Sequence, residues 1–284
     1  MRELLDKLKE TLDNGEAAVL VTITATKGST PRKSGARMLV TKAGRVAGSV
    51  GGGSVEYECE KRARNCLEKK NCDEEHYVLT HNDVADIGMI CGGDVQVEFR
   101  YIEPGNTIVE ELECEYEETR KKNGRVFVFG GGHVAQQLVP MLAKVDFRCI
   151  VIEDRPDFAR PELFEGKAEE IRLIDMNGIA ALQTEITADD YICIMTRGHK
   201  NDYQVQAQML KSKACYIGVI GSRHKIAGVN AKLAADGFSA EDIGRITTPI
   251  GLAIEAETPA EIAVSIAAQM IKVRAEKRKN VGTV

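Results

Sequence analysis

The chain has no apolar run of 18 residues, no excess of basic charge, no C-x-x-C pair and no H-x-x-x-H spacing. Each absence removes a class of protein. Without a long apolar run there is no candidate membrane-spanning helix. Residues 1–12 read as a charged amphipathic helix and not as a secretory signal, so a cytoplasmic location is expected. A net charge of -5 carries no electrostatic footprint for nucleic acid or for a membrane surface, and neither is an expected partner. Without paired cysteines or histidines, no metal site made of protein ligands alone is expected. The triple glycine Gly51-Gly52-Gly53 is not followed by G-K-[ST], which excludes a Walker phosphate loop there.

What the chain does have is a complete nucleotide-binding pattern between Arg125 and Asp154. Val126-Phe127-Val128-Phe129 is a short, buried-type strand. Gly130-Gly131-Gly132-His133-Val134-Ala135 follows, then a helical pattern with Val134, Leu138, Met141 and Leu142 on one face. A second apolar run, Cys149-Ile150-Val151-Ile152, ends in Glu153-Asp154. Strand, glycine turn, helix, strand and terminal acid make a βαβ unit carrying G-x-G-x-x-A at Gly130, Gly132 and Ala135. In this pattern Gly130 permits the tight turn and Gly132 lets the backbone approach a pyrophosphate. Ala135 allows close helix–strand packing, and Glu153 is spaced to accept ribose hydroxyls. The unpaired amides at the helix start, around Gly131, Gly132 and His133, favour an anion.

The 284 residues are enough for two domains. Residues 1–103 read as an N-terminal α+β domain, 104–123 as an acidic, mostly solvated helical connector, and 124–284 as a Rossmann-like domain. The first part has a helix ending near Asn14-Gly15, a strand from Ala18 to Ala25, and a hairpin of Ala36–Thr41 with Arg45–Val50. The triple glycine and a helix with Ser54 as its expected N-cap come next. That turn resembles a second anion cradle with Arg32, Lys33 and Arg37 nearby, and it is equally readable as a sharp corner. In the second part, strands are expected at Glu170–Ile174, Tyr191–Met195 and Tyr216–Ile220. The rhythm of strand and helix implies a doubly wound parallel sheet. Ligands on such sheets sit beyond the carboxyl ends of strands. Thr196-Arg197-Gly198-His199 and Gly221-Ser222-Arg223-His224 fall there, with Arg223 as a candidate phosphate contact.

Of the eight cysteines, all expected as thiols, Cys149, Cys193 and Cys215 lie in or beside apolar strands and read as small core residues. Cys59 and Cys66 share a helix face with Val55 and Ala63 and also read as core. Cys91 is different: Gly92 and Gly93 beside it leave the thiol uncrowded. A thiolate is a soft metal ligand, although a buried small residue at a strand start is an equal reading of the residues alone.

Together these motifs resemble the xanthine dehydrogenase accessory factor family (XdhC/CoxI-like proteins). The resemblance runs through Gly28-Ser29-Thr30-Pro31-Arg32, Gly35-Ala36-Arg37-Met38, Gly51-Gly52-Gly53-Ser54-Val55-Glu56 and Cys91-Gly92-Gly93. It continues through Gly130-Gly131-Gly132-His133-Val134, Asp154-Arg155-Pro156, Gly221-Ser222-Arg223 and Thr248-Pro249-Ile250-Gly251-Leu252. It covers nearly the whole chain apart from the acidic connector. The resemblance implies an accessory protein that binds the molybdenum cofactor (molybdopterin or its dinucleotide form) and delivers it to a molybdenum hydroxylase such as xanthine dehydrogenase. It further implies a sulfurtransferase as another partner, and Cys91 as the contact to the molybdopterin or its metal. The ligand is expected between the two domains. That arrangement also suits a homodimer, for which the sequence holds no direct signal. Two other readings remain open: an NAD(P)-dependent oxidoreductase using His133 or His199, and a nucleotide-sensing module. The second leaves Cys91-Gly92-Gly93 without a purpose.

Overall fold

The computed structural model describes residues 1–79, 93–221 and 223–281. The chain divides into two compact units, Met1–Glu117 and Glu118–Val284.

The first unit is built on five antiparallel strands: β1 (Ala18–Gly28), β2 (Arg37–Thr41), β3 (Gly44–Gly48), β4 (Asp73–Leu79) and β5 (Gly93–Ile102). Their spatial order is β3-β2-β1-β5-β4. Side chains alternate along a strand, so β1 sends Val19, Val21 and Ile23 to one face and Ala18 and Leu20 to the other. Helix α1 (Arg2–Asp13) covers the second face through Leu4, Leu5 and Leu8. Helix α2 (Gly53–Lys69) covers the first through Val55, Cys59, Ala63 and Cys66, the core role expected of both cysteines. Helix α3 (Ile108–Lys122) carries its glutamates outward, and one apolar face turns inward. Ile108, Leu112 and Tyr116, four apart and so on one face, are buried against the same cluster as α1.

Two local differences have clear causes. The acidic stretch around His76, where the sequence pattern marks no strand, is the edge strand β4, paired with β5 from Asp73↔Phe99 to Leu79↔Gly93. Charged side chains on an outer strand hide its alternation while guarding a free sheet edge. Helix α2 starts at Gly53 with Gly52 at its N-cap, so Ser54 lies inside the first turn. Glu56 folds back instead, accepting hydrogen bonds from the Gly52 amide at 3.2 Å and the Ser49 hydroxyl at 2.5 Å.

The second unit is a parallel sheet of β6 (Arg125–Phe129), β7 (Arg148–Glu153), β8 (Glu170–Leu173), β9 (Tyr191–Ile194), β10 (Tyr216–Val219) and β11 (Ile246–Thr247). The order is β11-β10-β9-β6-β7-β8. Counted within the unit, the strands run 3-2-1-4-5-6, the order of dinucleotide-binding folds, and the winding reverses between β6 and β9. The α/β class and the doubly wound sheet are therefore as expected; only the two-residue β11 was not anticipated. Strands β6, β7, β9 and β10 are apolar on both faces because both faces are covered. On one side lie α4 (His133–Lys144) and α9 (Pro259–Val281), with Ala135, Leu138, Ile266 and Met270 inward. On the other lie α6 (His199–Met209), through Val205 and Met209, and α7 (Arg223–Ala235), through Leu233. Short helices α5 (Leu182–Glu185) and α8 (Ala240–Gly244) complete the unit. Cys149 and Cys193 are buried, as expected for core residues, whereas Cys215 is exposed. Cys215 precedes β10 by one position, outside the buried span, and its thiol reaches the Asp190 carbonyl at 3.2 Å.

Candidate functional site

The glycine corner after β6 separates into two closed positions and one open one. Gly130 has φ +105, a left-handed conformation that favours glycine. A Cβ there would sit 2.4 Å from the Met195 carbonyl oxygen, so the turn and the contact with the chain leaving β9 both require its absence. Gly131 is closed as well, since a Cβ would lie 2.4 Å from the Phe158 carbonyl oxygen. At Gly132 a Cβ would meet nothing within 4 Å. Gly132 is also the N-cap of α4, with no side-chain cap and no acid in the first turn. The amides of that turn are left to an outside acceptor, at the positive end of the helix dipole. Such a corner accepts phosphate. His133 is exposed at the first helical position, and Ala135 is fully buried between helix and sheet.

The acid at the end of β7 is not placed as the spacing suggested. Glu153 is 1% exposed. One carboxylate oxygen accepts the Gly131 amide at 2.7 Å; the other accepts the amides of Asp154 at 2.9 Å and Arg155 at 3.0 Å. The Arg155 guanidinium donates to both oxygens, at 2.9 and 2.8 Å. A carboxylate engaged in five hydrogen bonds and sealed from solvent is not presented to a ribose. Burial pushes the Glu153 pKa up, but the bonds from Arg155, Asp154 and the backbone outweigh it and hold the group at about 2. The neighbouring Asp154 is the more exposed acid, and its pKa is raised by its hydrogen bond with Glu153 and by partial burial. Arg155 in turn lies over the Phe158 ring, 3.9 Å from its centroid. Glu153, Arg155, Phe158 and Phe164 thus fill the β7 flank of the corner.

The opposite flank is open. Beyond the ends of β9 and β10 lies a cavity of about 260 Å³, lined on its polar side by Thr196, Asp202, Gln206, Asn230 and Thr248. Val219, Ile220, Ile226 and Val229 supply its apolar walls. The Thr196 hydroxyl donates to Asp202 at 2.5 Å, and the Gln206 amide donates to the Asp202 carbonyl at 3.1 Å. Thr248 donates to the Val219 carbonyl at 3.2 Å. The segment Thr248 to Leu252 is held by α9. The Gln269 side-chain oxygen accepts from the Tyr216 hydroxyl at 2.5 Å and the Gly251 amide at 2.7 Å, while Ser265 donates to the Leu252 carbonyl at 2.6 Å. Gly251 has φ +99, and a Cβ there would collide with the Ser265 Oγ.

Of the residues singled out from the sequence, Gly130, Gly131, Gly132, His133, Glu153 and Asp154 do converge at the β6–β7 end of the sheet. Thr196, Gly198 and Gly221, at the two strand ends, line the cavity. Arg223 opens α7, but its side chain lies outside the described residues, as do Cys91 and Gly92. Gly93 starts β5, where a Cβ would lie 2.6 Å from the Lys27 carbonyl oxygen and 2.7 Å from that of Ser29, so a close backbone crossing accounts for it. Asp202, Gln206 and Asn230 were missed, because single polar residues on helices read as solvated surface. At the triple glycine, the Gly52 amide is taken by Glu56, whose charge disfavours a second anion. Burial raises the Glu56 pKa, and bonds from Ser49 and Gly52, with Arg45 nearby, bring it below the ordinary value. Among the described residues no group of three His, Cys, Asp or Glu is placed to hold a metal ion, and no helix is long and apolar enough to cross a membrane.

Comparison with known proteins gives consistent relatives. YqeB of Escherichia coli K12, described as uncharacterized, is 27% identical over 89% of this chain; the chain spans 42% of the length of that relative. A protein of Bacillus subtilis 168 described as a probable xanthine dehydrogenase subunit is 24% identical, covering 95% of this chain and 96% of the other. PaoD of Escherichia coli K12, described as a molybdenum cofactor insertion chaperone, is 24% identical over 98% of this chain and 90% of its own length. A solved structure from Bacillus halodurans, described as a xanthine dehydrogenase, shares the fold with a TM-score of 0.76 at 21% identity, covering 96% of each chain. Residues 11–78 match the model of the XdhC and CoxI family, and residues 126–270 match the XdhC Rossmann domain. The second match spans more than half of the chain and coincides with the parallel sheet and its glycine corner, and the protein belongs to the XdhC family.

Proposed function

We propose that this chain is an accessory factor that holds the molybdenum cofactor and passes it to a molybdenum hydroxylase of the xanthine dehydrogenase type. The observation that carries the reading is the end-to-end similarity to PaoD, a molybdenum cofactor insertion chaperone, over 98% of this chain and 90% of that protein. The site is chemically suited to it. The cofactor bears a phosphate, or a pyrophosphate in its dinucleotide form, and the uncapped amides beginning at Gly132 suit such a group. Cys91, flanked by Gly92 and Gly93, is the thiolate that the family resemblance assigns to the molybdopterin or its metal. Arg223 remains the assigned phosphate contact. NAD(P) is the less favoured guest, because the acid that would read its ribose is turned inward. A hydroxylase client, a sulfurtransferase, a homodimeric state, a cytoplasmic location and the division at 103 and 123 belong to the same proposal.

The test is direct. Protein purified from cells that make the cofactor is denatured and oxidised, and the fluorescent pterin released is quantified. In parallel the protein is mixed with a cofactor-free xanthine dehydrogenase and activity is followed. Retained pterin and activation of the client are expected. Protein that carries only nicotinamide nucleotide, and activates nothing, ends the proposal.

A further inference from the structure

The two flanks of the glycine corner are unequal, and the inequality says where a ring can go. On the β7 side the space is filled by Glu153, Arg155 and Phe158. On the β9–β10 side a cavity of about 260 Å³ remains. It lies across the winding reversal from the corner: β9 pairs with β6, and the Met195 amide donates to the Phe129 carbonyl at 2.9 Å beside Gly130. We infer that this cavity receives a heterocycle presenting a 2-amino-4-oxo-pyrimidine edge, the edge common to a pterin and to guanine.

Three observations lead there. The volume falls below the roughly 300–1,000 Å³ of pockets that enclose drug-sized ligands, and so suits a single ring system and not a whole dinucleotide. The polar side carries a buried carboxylate, Asp202, fixed by the Thr196 hydroxyl and backed by the buried Gln206. A carboxylate accepts about four hydrogen bonds. It favours an edge with two adjacent donors, the ring N–H and the 2-amino group, which pterin and guanine have. Adenine and cytosine set a bare ring nitrogen beside their amino group, and that lone pair would be repelled. Of the remaining polar groups, Asn230 offers an amide donor for the 4-oxo oxygen, while Thr248 donates to the Val219 carbonyl, and Val219 and Val229 offer apolar walls for the ring.

The inference rests on the cofactor-carrier reading, since it assigns part of that same guest, but its test is separate. Pterin, guanosine monophosphate, cytidine monophosphate, adenosine monophosphate and inorganic pyrophosphate are titrated into the full chain. The pterin is followed by its own fluorescence, against a protein with no tryptophan. Binding of pterin alone identifies the pterin end of the cofactor as the occupant; binding of guanosine monophosphate alone identifies a nucleotide end. In either case Val229→Phe, which fills the cavity, and Asp202→Asn, which removes the charge, should each weaken the ring probe at least tenfold. Val229→Phe should leave pyrophosphate binding unchanged. Asn230→Ala serves as a milder variant if circular dichroism shows Val229→Phe to be misfolded. Binding of neither ring, equal binding of adenosine monophosphate, or binding indifferent to the variants overturns the inference. Cofactor retention and client activation that survive Val229→Phe also overturn it while leaving the carrier reading intact. Ring binding that responds to the variants, in a protein that retains no cofactor, does the reverse.

Discussion

Glu153→Gln keeps the volume of the side chain and removes the charge facing Arg155. It also turns one of two acceptor atoms into a donor, against three backbone N–H groups and a guanidinium. The loss can be reached in two ways. The Glu153 pKa falls from the ordinary 4.5 to about 2; at about 1.36 kcal/mol per pH unit this is about 3 kcal/mol. Breaking one side of a buried ion pair costs roughly 3–5 kcal/mol. Asp154, whose carboxylate lies 3.8 Å from Arg155, tempers the loss toward the lower figure. A loss of about 3 kcal/mol at pH 7 is expected, or a fall in Tm of roughly 6–12 °C for a unit of this size.

The sign with pH is fixed. Because the folded pKa is depressed, the contribution is complete above pH ~4.5 and is lost as pH falls through about 2. The gap between wild type and variant should therefore shrink by roughly half near pH 3. Thermal melts followed by circular dichroism at pH 7, 5 and 3 measure the gap. Hydrogen exchange at the Gly131 amide locates it, because that amide loses its acceptor in the variant. A variant within about 1 kcal/mol of wild type at pH 7, or a gap indifferent to pH, would show that the carboxylate does not hold the corner.

Three further outcomes follow from the same geometry. Gly130→Ala and Gly131→Ala should each cost more than about 2 kcal/mol through their clashes with Met195 and Phe158, whereas Gly132→Val should melt near wild type and bind inorganic pyrophosphate at least tenfold more weakly by calorimetry. Asp190→Asn should lower stability by about 3–5 kcal/mol in urea titrations, since this buried carboxylate takes the amide and guanidinium of Arg125 at 2.8 Å each and both the amide and hydroxyl of Thr187. Gln269→Leu strands the Tyr216 hydroxyl and the Gly251 amide, at about 1–3 kcal/mol for each group, and should speed proteolysis between Thr248 and Leu252, with Gln269→Glu retaining the acceptor and the resistance.

The parallel sheet was legible because its physics is written locally. A strand covered on both faces must be apolar throughout, so β6, β7, β9 and β10 stand out as short unbroken runs, and glycine marks the turn after the first. The start of helix α9 is written in Thr258-Pro259-Ala260-Glu261: the Glu261 amide donates to Thr258 Oγ1 and the Glu261 carboxylate accepts the Thr258 amide, the reciprocal pair of a capping box. Strand β4 was not legible, because an edge strand satisfies only one neighbour and can carry charge on most positions. The cap of α2 was misread for a related reason. Ser54 and Glu56 are both good first-turn residues, and only the positive φ of three successive glycines decides which reaches the free amide.

At the site, the sequence reports where the backbone turns and not which way a side chain points. Spacing alone put Glu153 at the end of β7, and the structure agrees; nothing in the spacing says that Arg155, two residues on, will draw the carboxylate inward onto Gly131. Once that occurs the chain supplies its own anion to one amide of the corner, and the positive potential left for a ligand is that of the helix beginning at Gly132. The same turn closes the β7 flank and leaves the β9–β10 side open. There Asp202 and Gln206, four apart and therefore on one face of α6, are buried with the cavity in front of them. Burial of an aspartate and a glutamine side by side is costly unless each is bonded. The Thr196 hydroxyl and the α6 backbone meet that requirement here, which holds the polar side of the cavity in one fixed arrangement.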